Sequence, residues 1–367
     1  MRFVETLGLR ALNRALLERQ LLLRRSDRSV PEALEHLVGL QAQSPQAPYV
    51  GLWSRLAGFA PERLSDRIAE RKAVRAVLMR ATIHLVTSDD VAALWPLVVP
   101  VLERDVYPNQ TYGRHRLDGL DMPAVLAVGR RLVEEKPRTA AELRPLLAAE
   151  FPDRDPAALA YAVRQLLPMV HVPPRGLWRG SGQPRLTTVE AWLGRGVDDE
   201  ASVDRMVLRY LAAFGPATVA DVQTWSGLTR LREVVERLPL ATFRDEAGKT
   251  LYDLPGAPRP DPDAPAPPRF LPEYDNLLLS HADRSRVIAG DGYLQRVFNV
   301  GAVLVDGYLR GKWQLTRQRK AASLVVELFE RVPEGEMAGL RQEADRLLDF
   351  VAGDAESREV RFTGGPW

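Results

Sequence analysis

Apolar positions recur at helical spacing along most of the chain and shift to strand-like runs in its last quarter. Residues 7–23 carry Leu9, Leu12 and Leu16 with arginines between them, a pattern that predicts an amphipathic helix. Ser26-Asp27-Arg28-Ser29 breaks it. Ser29 then suits the N-cap of a second helix and Pro31 an early helical position. Ala33, Leu34, Leu37, Val38 and Leu40 make its inward face, and it delivers Gln41 to its end. A short helix is expected at 64–70. Residues 75–80 and 83–86 read as a helix or strand entering a hairpin, and Ser88-Asp89-Asp90 caps a helix that runs to about Tyr107. Helices followed by a hairpin are the order of a winged helix-turn-helix unit.

Residues 121–192 repeat that order. A helix at 122–134 is followed by the capping box Thr139…Glu142 and a helix at 156–167. Val170-His171-Val172 and Leu177-Trp178 flank a Pro-Pro-Arg-Gly turn and predict a small wing. Residues 202–254 repeat it again. A helix at 203–213, a second capped by Thr218, the turn residue Gly227 and a candidate recognition helix at 229–238 lead into a hairpin of 241–244 with 250–254. Residues 255–268 are half proline and read as a semi-rigid linker. Beyond them, 276–280 and 297–305 are strand-like, Asp306-Gly307 is a hairpin turn, and 309–315 is its return strand. A strand at 323–331, a helix at 334–351 and a strand at 358–362 complete the chain. The expected fold is α+β: about three tandem winged helix-turn-helix units (1–120, 121–197, 198–258), a Pro-rich linker (259–268), and a small β-rich, barrel-like domain with a C-terminal helix (269–367).

Composition narrows the function classes. A chain of 367 residues that is 46% apolar is long enough for several compact units. It has no cysteine, which excludes disulfides and thiolate metal sites, and its five histidines show no metal-binding spacing. No metal or cofactor is expected. Neither a signal peptide nor a membrane-length apolar run is evident, so a soluble, cytoplasmic, nucleoid-associated monomer is expected. The net charge is only +2, but nearly all of the 50 basic residues are arginine. Arginine suits bidentate phosphate contacts; a GC-rich coding composition accounts for much of the same bias.

The stretch richest in candidate chemistry is Leu37-Val38-Gly39-Leu40-Gln41-Ala42-Gln43-Ser44-Pro45-Gln46-Ala47-Pro48-Tyr49. Pro45 disfavours helical geometry in the residue before it, so the helix should stop near Ser44 and leave Gln41 and Gln43 at its rim. A polar C-cap with solvated glutamines is the plain alternative. This stretch, continued to Trp53, together with Leu78-Met79-Arg80-Ala81-Thr82-Ile83-His84-Leu85-Val86-Thr87 and the block 271–287 (LPEYDNLLLSHADRSRV), resembles the AlkZ/YcaQ-like family of bacterial winged-helix DNA glycosylases. These blocks frame most of the chain. The resemblance implies tandem winged helices and a Gln-x-Gln or Gln-x-Asp catalytic motif, here Gln41-Ala42-Gln43, the form of the azinomycin-resistance branch. It implies a monofunctional DNA glycosylase that hydrolyses the N-glycosidic bond of N7-alkylated purines in double-stranded DNA, with crosslink unhooking as a further capacity.

The chemistry is consistent with that implication. An amide is no general base at neutral pH, but its carbonyl oxygen can hold and aim a water. An N7-alkylated purine is already cationic and leaves readily, so placing the water and stabilising the sugar cation is the main task. No lysine lies near the triplet in sequence, which argues against a Schiff-base step. His281, Arg284 and Arg286 are candidate DNA contacts; a structural histidine–aspartate pair is the alternative for His281. Arg310 and Lys312, just past the Asp306-Gly307 turn, suit a groove-probing hairpin or, equally, a sheet edge guarded by charge. Arg55 and Arg80 are candidate phosphate ligands or members of a solvated face. A transcription regulator reading a groove and a protein-binding scaffold are the rival functions.

Overall fold

The computed structural model describes residues 4–364. Its first helix, Leu9–Arg19, shows why the arginines between its leucines matter. Asn13, Arg14 and Arg19 are buried along with Leu12, Leu16 and Leu17. Burying a guanidinium is tolerable only when its donors are met. Arg14 donates to the Ala264 carbonyl at 2.7 Å and to the Asp306 carboxylate, which Arg10 also holds at 2.7 Å. Arg19 forms a two-pronged pair with Asp253 at 2.6 and 2.8 Å and reaches the Pro258 carbonyl. The proline-rich stretch is therefore strapped along this helix.

Among the described residues the strands form three sheets. Thr6–Leu7 lies parallel to Ala241–Asp245, which pairs antiparallel with Thr250–Asp253. The second sheet runs in the order Leu40–Gln41, Ile83–Thr87, Ala73–Val77, Met169–Val172, Arg185–Thr188. Hairpin strands from 1–120 and 121–197 thus share one sheet. The third runs Ser357–Thr363, Ala321–Leu328, Tyr308–Gln318, Gly301–Val305, Arg269–Leu271. One face of the helix Glu334–Ala352 is apolar and buries Leu340, Ala344, Leu347, Leu348 and Val351 beside that sheet. The architecture is mixed α+β, as the hydrophobic pattern predicts.

Several local expectations are corrected. The C-terminal sheet stays open, with Arg269–Leu271 and Ser357–Thr363 at its edges, so it is not a barrel. Met169–Val172 takes Arg185–Thr188 as its hairpin partner, not Leu177-Trp178. Residues 276–280 are not a strand: Asn276–Leu279 is a short helix, capped by Asp275, whose carboxylate accepts from the Leu277 N–H at 2.9 Å. The Asp275 cap competes successfully with the strand propensity of a leucine run. The candidate recognition helix shortens to Arg232–Arg237.

The capping signals in the sequence are present in the structure. Ser29, Thr139 and Thr218 each form reciprocal capping boxes, with Glu32, Glu142 and Asp221. Gly227 ends the helix Val219–Ser226 in the left-handed conformation. One core joins Leu16 and Leu17 of the first helix to Tyr210, Phe214 and Trp225, and on to Leu277, Ala302 and Leu304. A second joins Leu34 and Trp53 to Val303, Leu324 and Leu347. The C-terminal sheet is thereby packed against both the first helices and the third helical group.

Candidate active site

The helix Val30–His36 ends at Leu37, and Val38 and Gly39 both take left-handed backbone conformations. Gly39 is required there: a Cβ would lie 2.5 Å from Val86 Cγ1 and 2.8 Å from the Leu85 carbonyl oxygen. The reversal throws the chain into the strand Leu40–Gln41, with Gln41 opposite His84. Gln41 is therefore on a strand, not at a helix end, and neither glutamine caps a helix. The prolines act in the other direction from the one expected. Pro48 sits in the first turn of Ala47–Arg55 and helps start that helix.

Gln41 closes the strand, and Gln43 follows two residues on, in a bend. Gln41 is buried and Gln43 exposed. Arg80 Nη2 donates to Gln41 Oε1 at 2.8 Å and to Asn276 Oδ1 at 3.1 Å, while its Nη1 donates to the Trp225 carbonyl at 2.6 Å. The Ile83 backbone N–H donates to Gln43 Oε1 at 2.9 Å. A guanidinium and a backbone N–H can only donate, so both partners fix which way each amide faces. Each carbonyl oxygen keeps a second lone pair, and each Nε2 is turned away from the donor. A cavity of about 10 Å³, lined in part by Gln41, Gly51, Pro272 and Asn276, adjoins the first amide. It is close to the size of one water.

The supporting shell is cationic or neutral. Arg75 donates to the Ala42 carbonyl at 2.8 Å and so holds the peptide between the two glutamines. Burial pushes its guanidinium down to about 10. Arg80, at φ 57° in the tight hairpin end, is also pushed down to about 10, by burial and by the neighbouring Arg284 charge. His84 is enclosed, with Nδ1 donating to the Thr82 carbonyl at 3.0 Å. Burial, helped by Arg80, pushes it down to about 3, so it is a neutral imidazole at physiological pH. Asp275 lines the same small cavity, but Arg55 holds both of its oxygens at 2.8 Å. The arrangement can orient a water.

The other expected DNA contacts divide. Arg55 is fully enclosed in its pair with Asp275, so the phosphate-ligand role is corrected to an interior ion pair. Arg80 faces inward too and holds Gln41 instead of a phosphate. His281 is enclosed, with Nδ1 3.0 Å from Ser280 Oγ and Nε2 3.1 Å from the Phe214 carbonyl. Burial and Arg286 push it down to about 3. Arg286 is buried and donates to the Pro216 carbonyl at 2.8 Å. These two are therefore interior residues rather than DNA contacts. Arg310 pairs with Glu330, just past the end of the neighbouring strand, and Lys312 with Glu327 at 3.1 Å across the sheet. Their turn is docked, not free: Asp306 is gripped by Arg10 and Arg14, and a Cβ on Gly307 would meet Leu17 at 2.5 Å. Arg284 differs from the rest. It is half-buried, its Nε has no partner, and among the described residues no carboxylate pairs with it.

Asn276, Arg75 and His84 were not singled out in the sequence. Asn276 and His84 stand inside the stretches that carry the family resemblance, so that signal was present. Arg75 gave none.

The two enclosed imidazoles fix a pH response. In the unfolded chain His84 and His281 take up protons near pH 6.5, whereas the folded chain refuses them down to about pH 3. The unfolded state then binds more protons, so stability falls as pH drops through that window. The slope is at most about 1.4 kcal/mol per pH unit for each group. Thermal melts should show the midpoint declining from pH 6.5 to 4. The decline should lessen in His84→Gln; an unchanged profile in that variant would mean His84 is solvated.

A family model described as "DNA glycosylase AlkZ-like" matches residues 34–350. Among solved structures, the DNA glycosylase AlkZ of Streptomyces sahachiroi superposes with a TM-score of 0.75 at 19% identity, covering 98% of this chain and 100% of that one. No curated protein sequence matches.

Proposed function

The chain belongs to the AlkZ-like family of DNA glycosylases, and on that premise we propose that it is a monofunctional enzyme hydrolysing the N-glycosidic bond of N7-alkylated purines in double-stranded DNA. The observation that carries this reading is the pair of amides at Gln41 and Gln43, each held in one orientation by an obligate donor. A substrate whose leaving base is already cationic needs no strong general acid. A water aimed by the free lone pairs of the two carbonyls then attacks the sugar carbon as the base departs. Arg80 and Arg75 keep the amides in place. Unhooking of interstrand crosslinks and genotoxin self-resistance belong to the same reading, as do about three winged-helix units within residues 1–258.

A groove-reading regulator is the weaker alternative. The short helix Arg232–Arg237 carries Glu233 and Glu236, and its arginines pair with Glu236 and Asp204. Acidic side chains on that face oppose a phosphate backbone.

Incubation with a duplex carrying N7-methylguanine tests the proposal directly. Release of free base without strand cleavage at the resulting abasic site is the expected outcome; an intact duplex after prolonged incubation counts against it. Duplex affinity should also fall with salt. Arg284→Ala should reduce the log–log slope by about 0.9, one phosphate's worth. An unchanged slope would place Arg284 outside the DNA footprint.

A further inference from the structure

Phe298 is the most exposed large apolar side chain among the described residues, at 64%. It does not stand alone. Its ring meets Tyr274 edge-on, with centroids 5.5 Å apart and planes at 83°. Tyr274 is carried on left-handed backbone, at φ 60°. Left-handed backbone is costly for an aromatic residue, and such strain collects at functional sites. Tyr274 lies two residues before Asn276, which shares the Arg80 guanidinium with Gln41. Tyr274 therefore stands in the loop whose Pro272, Asp275 and Asn276 line the cavity beside Gln41, and Phe298 meets it from a separate segment. Arg284, whose charge bears on Arg80, adds a cation without a carboxylate partner to the same neighbourhood.

We propose that Phe298, braced by Tyr274, is a stacking wedge that enters the duplex beside the target nucleotide and takes the place of its unstacked base. Every nucleobase presents a π-face, so a ring at this position is tolerant of sequence. An enzyme that must reach the bond between base and sugar gains by filling the gap an extruded nucleotide leaves. Phe298 keeps 64% of its surface exposed despite the contact with Tyr274, which leaves ring surface available for stacking. A cation without a carboxylate partner near Arg80, together with the exposed Phe298 ring, suits a phosphate–base surface better than a second apolar protein face. The inference rests on the glycosylase reading but is tested apart from it.

The test uses the full chain and a duplex with a stable abasic analogue next to 2-aminopurine, whose fluorescence falls when it gains a stacking partner. No excision is required. Wild type should lower the signal several-fold on binding, F298A should abolish most of that fall, and F298W should retain it. Phe298 is exposed, so F298A should melt like wild type, and the F298W rescue guards against a folding defect. Excision of N7-methylguanine from duplex by F298A should fall at least tenfold. Equal 2-aminopurine responses for wild type and F298A, or none for wild type, overturn the wedge even if wild type excises normally. A wild-type response without base release by wild type overturns the glycosylase reading and leaves the wedge standing. A dimer in sedimentation that F298A dissolves, with the fluorescence response unchanged, would show that Phe298 binds a second copy and overturns the wedge.

Discussion

Gln43→Ala is expected to lose most base excision, by two orders of magnitude or more in single-turnover rate, while its melting temperature stays close to wild type. Gln43 is exposed, and its carbonyl gives up only one backbone hydrogen bond, to Ile83. The loss of such a bond costs about 0.5–1.5 kcal/mol. Gln41→Ala should lose as much activity but also more stability. Gln41 is buried and holds Arg80, so its removal leaves a largely enclosed guanidinium one acceptor short. That penalty is about 1–3 kcal/mol. The activity losses should not add, because one missing amide already misplaces the water. Gln43→Asp should keep part of the rate. Single-turnover release of N7-methylguanine, read beside thermal melts of the same variants, decides the matter. Full excision by the double alanine variant would remove the amides from the mechanism.

Arg55→Met should cost about 3–5 kcal/mol of stability, because it strands the Asp275 carboxylate in an interior site. Asp275 also caps the Asn276–Leu279 helix, so the damage reaches the loop next to Gln41. Arg55→Met/Asp275→Asn should be milder than the single change, since no uncompensated charge remains while the cap survives. Urea unfolding midpoints measure both. The salt slope of duplex binding should not move. A shift of under 1 kcal/mol together with a reduced slope would return Arg55 to the DNA surface.

Periodicity and punctuation carried much of the fold. The caps at Ser29, Thr139 and Thr218 were legible because a hydroxyl followed three residues later by a carboxylate has a local meaning. So was the Asp306-Gly307 turn, whose two residues tolerate left-handed backbone. What could not be read was pairing at long range. Nothing in Met169–Val172 says that its neighbours are Ala73–Val77 and Arg185–Thr188. The arginines misled for a related reason. An arginine on a phosphate and one buried against Asp275 look alike in sequence, because the partner is 220 residues away. The site was legible as a motif and a resemblance, yet its setting was not. The left-handed pair Val38-Gly39 turns what reads as a helix end into a strand.

The arginine grip of the first helix also orders events during synthesis. Leu9–Arg19 leaves the ribosome well before its partners, and Arg14 finds Asp306 only after 292 further residues. At about 5–20 residues per second, that interval is tens of seconds. Through it, the cationic face of the helix lacks the carboxylates that later enclose it. This helix is thus made long before the residues that lock it. A nascent chain stalled before residue 253 would hold it with neither Asp253 nor Asp306 available.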